Sequence, residues 1–196
     1  MKRLFDILVS TIILLFFLPF GIIISILIVL GSKGGVFYRQ ERIGLHGKPF
    51  FLFKFRTMKP DSDKAGKLTV GMRDPRITSI GYFIRKYKID EFPQFLNVIS
   101  GKMSVVGPRP EVQEYVDLYN EEQRKILNVK PGITDYASLE YFDESRLLGE
   151  STNPRETYIQ EIMPSKILLN QKYLDNPTLG HDIQIMWKTF LKMIGK

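Results

Sequence analysis

The sequence contains no cysteine and only two histidines. Without cysteine the chain has neither disulfide bonds nor thiolate chemistry, which fits a reducing compartment. With His46 and His181 as the only imidazoles, a histidine-rich metal site is not expected. These absences exclude a disulfide framework and a cysteine nucleophile, so the chemistry has to come from carboxylates, cations and hydroxyls.

Acidic residues are scarce in the N-terminal part of the chain. Residues 1–110 contain 18 Lys and Arg against 7 Asp and Glu, a net charge of +11, whereas residues 111–196 contain 10 against 14, a net charge of −4. A basic surface can meet nucleic acid, anionic lipid or phosphorylated small molecules. The total of 196 residues is enough for one well-buried domain and too short for two.

No charged residue interrupts residues 7–30, which are mostly Ile, Leu, Phe and Val. As a helix this segment would reach about 36 Å, enough to cross a hydrocarbon core of roughly 30 Å. Pro19 lies in its middle and removes a backbone hydrogen bond where lipid offers no substitute. Both flanks are basic, and positive residues prefer the cytoplasmic side of a membrane. The residues alone leave a single crossing and a re-entrant hairpin, broken near Pro19, equally open.

Periodic segments follow the hydrophobic run. In residues 51–56 three phenylalanines alternate with leucine, lysine and arginine, which predicts a strand with an apolar phenylalanine face and a basic face. Residues 59–74 are polar and contain proline and glycine, as a loop does. Apolar residues at helical spacing follow over residues 80–87, and Thr78 or Ser79 is a suitable N-cap for that helix.

Further helices are predicted downstream. Asp90 is a candidate N-cap for a helix that has Pro93 in its first turn and ends near Ser100. Helical patterns then recur over residues 111–129, 157–163, 167–174 and 183–196. The last of these is amphipathic, with lysines opposite an apolar face, so it could lie in a membrane interface or pack on the domain core.

Two adjacent carboxylates, Asp90 and Glu91, precede a Gly/Pro-rich turn that carries one arginine. Adjacent side chains of a helix point about 100° apart, so one carboxylate can face a phosphorus atom while the other holds a divalent cation. A carboxylate can act as a covalent nucleophile towards phosphoryl groups, and Mg²⁺ prefers one or two carboxylates with substrate phosphates. Adjacent acids are also common at solvated helix starts, so the pair alone is ambiguous.

Several cations accompany the acid pair. Arg109 lies between two prolines, whose fixed φ gives its guanidinium a defined direction for gripping a phosphate. Arg85 precedes the acid pair, and Lys54, Arg56 and Thr57 end the predicted strand. Each has a plain alternative, namely a structural turn, an exposed helix charge, or a basic strand face against lipid headgroups. Together they indicate chemistry on a phosphorylated substrate at a membrane surface.

This ordered set resembles the bacterial sugar transferase family, the small monotopic phosphoglycosyl transferases. The resemblance covers residues 1–134. It rests on the hydrophobic segment with its central proline and on these motifs: Gln40-Glu41-Arg42-Ile43-Gly44, Phe53-Lys54-Phe55-Arg56-Thr57-Met58, Asp74-Pro75-Arg76-Ile77-Thr78, Ile89-Asp90-Glu91-Phe92-Pro93-Gln94, Gly101-Lys102-Met103-Ser104, Val106-Gly107-Pro108-Arg109-Pro110 and Lys130-Pro131-Gly132-Ile133-Thr134. It implies a mostly helical α+β fold. Residues 1–32 would form a re-entrant membrane helix-break-helix, and residues 33–196 a cytosolic catalytic domain with short strands and interfacial amphipathic helices.

The resemblance also implies an activity. The enzyme would transfer a sugar-1-phosphate from a UDP-sugar to undecaprenyl phosphate, release UMP and thereby initiate bacterial glycan assembly. Asp90 would be the nucleophile that forms a covalent phosphosugar intermediate, and Glu91, also catalytic, would hold Mg²⁺. The other substrate-binding residues implied are Lys54, Arg56, Thr57, Arg85, Gln94, Arg109 and Pro110.

The implied location is the cytosolic face of the bacterial inner membrane, with both termini cytoplasmic and inner-leaflet phospholipids, not nucleic acid, as partners. A homodimer is left open.

The sequence departs from the family in two places. At Leu18 a serine often precedes the proline, and at residues 135–138 Gly-x-Ala-Gln is common. Because of the second departure, the identity of the sugar is not carried over. Two other functions stay open, a membrane-anchored basic binding module without catalysis and a direct glycosyltransferase that releases UDP.

Overall fold

The computed structural model describes residues 1–62 and 74–195. In chain order their helices and strands are α1 (Lys2–Gly31), β1 (Phe37–Ile43), β2 (Pro49–Phe55), α2 (Ser79–Lys86), α3 (Gln94–Ile99), β3 (Ser104–Val106), α4 (Gln113–Val116), α5 (Glu121–Arg124), β4 (Gly132–Thr134), α6 (Tyr136–Glu140), α7 (Glu144–Glu150), α8 (Pro154–Thr157), α9 (Met163–Leu174) and α10 (Leu179–Ile194). A π-helical turn joins α8 to α9. The predicted mostly helical α+β class is confirmed. Most of the loop predicted over residues 59–74 lies outside the described residues.

The described strands form two small sheets. β1 and β2 pair antiparallel, with Phe37 opposite Phe55 and Ile43 opposite Pro49. β3 and β4 pair parallel, with Ser104 opposite Gly132. The end of β2, in the first sheet, lies near the acid pair. The residues that follow β3 and β4, in the second sheet, lie near it as well.

The strand predicted over residues 51–56 is confirmed as part of β2, and its phenylalanine face is buried at Phe55 but not at Phe51. Phe50 and Leu52 are buried, whereas Phe51 is 57% exposed. The reason is that Phe50 and Leu52 pack with residues of α3 and β3 in one core cluster, which lies on their side of the strand. Since side chains two residues apart share a face, Lys54 points inward with Leu52.

α1 lies along the rest of the structure over its whole length. Val9 and Ile13 pack against the core cluster that contains β3, and further along Ile28 is buried with Phe55 and Ile84. The remaining faces of α1 expose large apolar side chains, namely Leu4, Leu8, Ile12, Leu15, Phe16, Leu18, Phe20, Ile22, Ile23, Ile26, Leu27, Val29 and Leu30. By length and composition α1 is the one helix of the described chain that could cross a membrane.

Polar contacts tie the N-terminal end of α1 to the domain. Lys2 Nζ donates a hydrogen bond to Asp182 of α10 at 2.6 Å. The buried Asp6 carboxylate accepts hydrogen bonds from Ser104 Oγ at 2.9 Å and from the Val105 amide at 3.2 Å. The first two turns of α1 are therefore held against β3 by charged side chains.

The C-terminal end of α1 is tied to the same domain. The Arg56 guanidinium donates to the backbone carbonyls of Ser32 at 2.8 Å and Lys33 at 2.9 Å. These carbonyls follow the last turn of α1, where a helix leaves acceptors without intrahelical partners. The predicted break at Pro19 is not a helix end, because α1 continues through Pro19. A single missing donor need not end a helix.

Two predicted helix starts have different outcomes. The helix after Thr78 is confirmed as α2, and Thr78 Oγ1 accepts a hydrogen bond from the Gly81 amide at 3.0 Å. Asp90, by contrast, does not cap a helix, so that prediction is wrong. Residues Ile89–Glu91 form a 3₁₀ turn, and α3 begins only after Pro93. Lys88, with a left-handed φ of 55°, immediately precedes this turn, and Asp90 within the turn is buried.

The single helix predicted over residues 111–129 is also wrong. The structure has α4 and α5 there, followed by a 3₁₀ turn over Lys125–Asn128. The cause is a capping box at the start of α5. The Asn120 side-chain oxygen accepts a hydrogen bond from the Gln123 amide, and the Gln123 side-chain oxygen accepts one from the Asn120 amide. The patterns over 157–163 and 167–174 are confirmed as helical, and that over 183–196 is confirmed as far as Ile194.

Both alternatives for the C-terminal helix describe part of α10. Ile185 is fully buried in the domain core, as expected for a docked helix. The opposite side exposes large apolar side chains, as expected for a membrane interface: Ile183, Trp187, Phe190, Leu191 and Ile194. α10 therefore packs with one face and leaves a second apolar face uncovered.

Candidate active site

The acid pair lies in the 3₁₀ turn between α2 and α3. Asp90 is 6% exposed. Within the part of the chain that the structure describes, its carboxylate accepts no hydrogen bond. Burial raises the pKa of Asp90, and the positive charge of Lys54 offsets only part of that effect. A buried carboxylate without a hydrogen-bond donor is weakly stabilised as an anion and is free to contact a reacting atom.

Glu91 has a different environment although it is the next residue. Lys54 Nζ lies 3.1 Å from Glu91 Oε1, and Arg109 Nη1 lies 3.0 Å from Oε2. Arg109 Nη2 also donates to Oε1, so the arginine grips the carboxylate with two nitrogens. Burial alone would raise the pKa of Glu91, but the charges of Arg109 and Lys54 outweigh burial and hold this pKa well below its usual range.

Lys54 interacts with the charges of both acids. Burial lowers the pKa of Lys54, and the neighbouring Glu91 carboxylate counteracts that effect. The strand β2 places this side chain, because Lys54 follows Leu52 on the inward face. The acid pair and its two cations thus come from three separate segments of the chain.

The turn that carries Arg109 is fixed by the neighbouring strands. β3 and β4 approach so closely that a Cβ atom on Gly132 would lie 2.1 Å from the Gly107 nitrogen. The Arg109 amide donates to Asp135 Oδ2 at 3.0 Å, and Asp135 Oδ1 accepts from the Ser138 amide at 2.6 Å. Asp135 therefore joins the N-terminus of α6 to the arginine turn. The sequence interpretation did not identify this role.

The remaining predicted site residues lie in several places. Arg85 Nη1 donates to Thr57 Oγ1 at 3.3 Å, and the charge of Arg85 acts on Asp90. Gln94 is buried in the first turn of α3, with no hydrogen-bond partner for its Nε2 among the described residues. The Pro110 carbonyl accepts from Arg42 Nη1 at 3.0 Å.

Arg56 differs from the rest of the predicted set. Its guanidinium contacts the carbonyls after α1, as described above, and does not bond to the acid pair. The structure thus brings together Asp90, Glu91, Lys54 and Arg109 directly and places Arg85 with Thr57 beside them.

A second polar cluster behind Arg109 was also missed by the sequence interpretation. Glu111 accepts hydrogen bonds from Tyr158 Oη and, at 3.4 Å, from Arg42 Nη1. Lys166 Nζ lies 3.8 Å from Glu111 and 2.8 Å from Glu144. Burial alone would raise the pKa of Glu111, but the charges of Lys166 and Arg42 hold it below its usual range.

The acid pair is the candidate site for a divalent cation. The described residues contain no group of three or more His, Cys, Asp or Glu side chains that could hold a metal by themselves. Mg²⁺, however, needs only one or two carboxylates when substrate phosphates supply further oxygens. Glu91 provides one such carboxylate beside Asp90, so the residues fit a magnesium ion that arrives with a phosphorylated substrate.

Comparison with known proteins adds to this geometry. The sequence model of the bacterial sugar transferase family matches residues 1–196. The uncharacterized sugar transferase EpsL of Bacillus subtilis is 40% identical over 195 residues, which cover 99% of this chain and 87% of that protein. The UDP-glucose:undecaprenyl-phosphate glucose-1-phosphate transferase of Escherichia coli is 34% identical, covering 98% of this chain and 40% of its own length.

A third relative acts on a different sugar. It is the UDP-N-acetylgalactosamine-undecaprenyl-phosphate N-acetylgalactosaminephosphotransferase of Aeromonas hydrophila, which is 36% identical over 96% of this chain and 42% of its own length. The chain therefore spans less than half of the Escherichia coli and Aeromonas relatives. By their names, both of these relatives use undecaprenyl phosphate, while their sugars differ.

Proposed function

The chain belongs to the bacterial sugar transferase family, and we propose on this premise that it transfers a sugar-1-phosphate from a UDP-sugar to undecaprenyl phosphate, with release of UMP. The product would enter polysaccharide assembly. The observation that carries the proposal is the buried Asp90 carboxylate, without a hydrogen-bond donor of its own, next to a Glu91 that two cations hold ionised.

In the first chemical step, an Asp90 oxygen attacks the β-phosphorus of the UDP-sugar. A bond forms between Asp90 and this phosphorus, and the bond from the phosphorus to the bridging oxygen breaks. The electron pair of that bond leaves with UMP. Arg109, Lys54 and Arg85 are the cations available to neutralise charge on the phosphoryl oxygens.

In the second step, a phosphate oxygen of undecaprenyl phosphate attacks the same phosphorus. A new pyrophosphate bond forms, the bond to Asp90 breaks, and the carboxylate is regenerated. The raised pKa of Asp90 favours the first step, because a more basic carboxylate is a better nucleophile.

We assign Glu91 to hold Mg²⁺ when a phosphorylated substrate binds. A bound magnesium ion would neutralise phosphate charge during the transfer. Arg109 grips Glu91 with two nitrogens in this structure, and the same fork can grip a phosphate. Binding of the donor would therefore exchange one partner of Arg109 for another.

The same proposal includes a membrane arrangement. Both ends of α1 bind one domain, through Lys2 and Asp6 at the start and through Arg56 at the end. A helix that crossed the bilayer would place those ends on opposite sides. We therefore favour the re-entrant arrangement on the cytosolic face, with the uncovered apolar faces of α1 and α10 in contact with inner-leaflet phospholipids.

The central experiment combines turnover with mass spectrometry. The purified protein is incubated with a UDP-sugar, undecaprenyl phosphate and Mg²⁺. Asp90→Asn is expected to lower UMP release by on the order of 10³-fold or more, since the nucleophile is lost. Asp175→Asn, which alters an exposed carboxylate, is the matched control and should keep full turnover.

The products separate the alternatives. Brief exposure to the UDP-sugar without acceptor should add one phosphosugar to the wild-type mass and nothing to the Asp90→Asn mass. Release of UDP in place of UMP would establish a direct glycosyltransferase. Turnover that survives EDTA would remove Mg²⁺ from the mechanism, and undiminished turnover of Asp90→Asn would refute the nucleophile.

A further inference from the structure

The turn that carries Arg109 can donate through one backbone amide only. Pro108 and Pro110 flank the arginine, and proline has no N–H group. The amide of Arg109 is therefore the only backbone donor of residues 108–110. It donates to Asp135 Oδ2 at 3.0 Å. Among its possible backbone donors, the turn thus relies on the bond to Asp135 alone.

Asp135 Oδ2 takes the place of a strand carbonyl. β3 and β4 pair parallel, and just beyond β3 the Gly107 amide donates to the Thr134 carbonyl at 3.1 Å. In a parallel pair the next amide that points at the partner strand lies two residues on, at Arg109. β4 does not continue to that point, because α6 begins at Tyr136. The Asp135 side chain supplies the acceptor that a longer strand would have supplied.

Contacts with two helices restrain Asp135. Its side chain is fully buried. Its other carboxylate oxygen, Oδ1, accepts a hydrogen bond from the Ser138 amide at 2.6 Å and so caps α6. The residue before it, Thr134, shares a hydrogen bond of 2.6 Å with the hydroxyl of Thr189 in α10. The acceptor of the Arg109 amide is therefore a fixed point of the structure.

The guanidinium of Arg109, by contrast, has a partner that can be exchanged. Both of its terminal nitrogens contact Glu91, and the side chain is 28% exposed, so a ligand can reach it. Burial lowers the pKa of Arg109, but the Glu91 carboxylate and, less strongly, the Asp135 carboxylate outweigh burial and raise this pKa. If Glu91 turns to a metal ion, the charge of Asp135 still balances part of the charge of the arginine.

We infer that Asp135 is a positioning residue, which holds the main chain of Arg109 in place while the guanidinium exchanges Glu91 for a phosphate of the donor. This inference rests on the proposed function and names the residue that keeps its arginine aligned. A guanidinium grips phosphate oxygens with a planar fork, so a displaced main chain misaligns both of its bonds. Loss of the Asp135 acceptor should therefore weaken phosphate binding through Arg109.

Serine at position 135 separates the two hydrogen bonds of the carboxylate. Serine caps a helix about as well as aspartate does, so Asp135→Ser keeps an acceptor for the Ser138 amide. Its single side-chain oxygen cannot also occupy the position of Oδ2 beside the Arg109 amide. The matched control is Asn120→Ser, which makes the corresponding change at the exposed cap of α5.

The experiment is a double-mutant cycle on binding. The full chain in lipid nanodiscs with Mg²⁺ is titrated by calorimetry with UDP, which carries both phosphates of any UDP-sugar. Asp135→Ser is expected to raise the Kd for UDP about tenfold in the wild-type chain and less than about twofold in the Arg109→Gln chain, because the bond to Asp135 has nothing to align once the guanidinium is gone. Asn120→Ser should change the Kd by less than about twofold in both chains.

Three outcomes would contradict the inference. An equal loss of affinity in both chains would show that Asp135 only supports the fold. An unchanged Kd for Asp135→Ser would show that the arginine stays aligned without it, and a wild-type chain that binds no UDP would leave the exchange of partners without a ligand. If Asp135→Ser does not fold, Asp135→Gly, which also suits a helix cap, is held to the same criteria. Arg109→Lys, which keeps the charge and loses the fork, replaces Arg109→Gln if that chain binds no UDP.

Release of UMP from UDP-sugars by the same wild-type preparation separates this inference from the proposed function. Coupling between Asp135 and Arg109 in UDP binding without any release of UMP would refute the proposed function and leave the role of Asp135 standing. Release of UMP together with additive effects of the two substitutions would refute only the role of Asp135.

Discussion

Asp90 and Glu91 are neighbours in sequence, and their buried carboxylates have opposite electrostatic environments. Asp90 lacks hydrogen-bond donors within the described chain, and burial raises its pKa. Lys54 and Arg109 donate hydrogen bonds to the Glu91 carboxylate, and their positive charges lower the pKa of Glu91 despite its burial. One acid is thus destabilised as an anion and the other is stabilised, which is the division expected of a reactive group beside a group that organises cations.

This division has opposite consequences for stability. A carboxylate whose pKa is raised on folding binds protons better in the folded state, so stability falls as pH rises above the unfolded pKa of about 4. Asp90→Asn is therefore expected to raise the melting temperature at pH 7.

A carboxylate whose pKa is lowered contributes stability at neutral pH that is lost as pH falls through its folded pKa. Glu91→Gln is therefore expected to lower stability at pH 7, by about 3 kcal/mol, because two buried cations lose their partner.

Thermal unfolding of the two variants between pH 4 and pH 8 checks these signs. The two substitutions are matched, since each replaces one carboxylate of the same turn by its amide. The gain for Asp90→Asn should shrink as pH falls towards 4, because protonation of the wild-type carboxyl removes its buried charge. A destabilised Asp90→Asn at pH 7 would show that the Asp90 anion has stabilising partners.

The residues of this site were predictable where they lie in short motifs, and not where their partners are distant. Lys54, Asp90, Glu91 and Arg109 belong to the motifs that carried the resemblance, and the structure brings them together. The contact of Asp135 with the Arg109 turn joins residues 26 positions apart. Nothing in the local pattern around position 135 indicates it, because only the pairing of β3 with β4 creates the contact.

At the scale of elements, the first turn of α2 lies against the end of β2. A Cβ atom on Gly81 would lie 2.0 Å from the Thr57 carbonyl oxygen, closer than any real contact. The same Thr57 bonds to Arg85 and follows the strand that carries Lys54. The absence of a side chain at Gly81 therefore sets how closely α2, and the acid pair after it, approaches β2.

Gly81→Ala is expected to destabilise the fold by a few kcal/mol, because the backbone of α2 must move. Gly180→Ala is the matched control, since it also lies in the first turn of a threonine-capped helix, where the nearest atom to an added Cβ is 3.9 Å away. There alanine should raise stability by up to about 1 kcal/mol through its helix propensity. Urea unfolding of both variants measures the difference, and a Gly81→Ala as stable as Gly180→Ala would show that α2 is not held by this contact.

Two sequence patterns, in β2 and over residues 111–129, predicted the elements incompletely. Alternating phenylalanines predicted an apolar face of β2, and Phe55 of that face is buried with Ile28 and Ile84. On the other face Phe50 and Leu52 are buried in a second core cluster, which the pattern did not predict. Periodicity identifies a strand, and only tertiary packing decides which face is covered. The helix predicted over residues 111–129 failed for a local reason, since Asn120 and Gln123 form a capping box that starts a new helix. That signal was present in the sequence.

At the scale of the whole molecule, the membrane arrangement has to account for two features of α1. One is its uncovered apolar surface, and the other is the set of charged contacts that joins it to the domain. One stripe of α1 packs on the domain, and the other faces expose leucine, isoleucine and phenylalanine. Exposed apolar surface of this extent indicates contact with lipid or protein. Because Asp6 and Arg56 tie opposite ends of the helix to one domain, the re-entrant arrangement satisfies both conditions without moving a charged contact across the bilayer.

The absence of cysteine allows this arrangement to be tested with single cysteines. One is inserted after the exposed Met1, one replaces Gly35, where an added Cβ would meet nothing within 4 Å, and one replaces Glu150 on the domain surface as the reference. All three are expected to react with a membrane-impermeant maleimide in inverted vesicles and to be protected in intact spheroplasts, since both ends of α1 stay with the domain. Full labelling after detergent treatment confirms that each thiol is present. If the cysteine after Met1 instead reacts only in spheroplasts while the other two react only in inverted vesicles, α1 crosses the membrane, and the contacts of Lys2 and Asp6 with the domain do not form there.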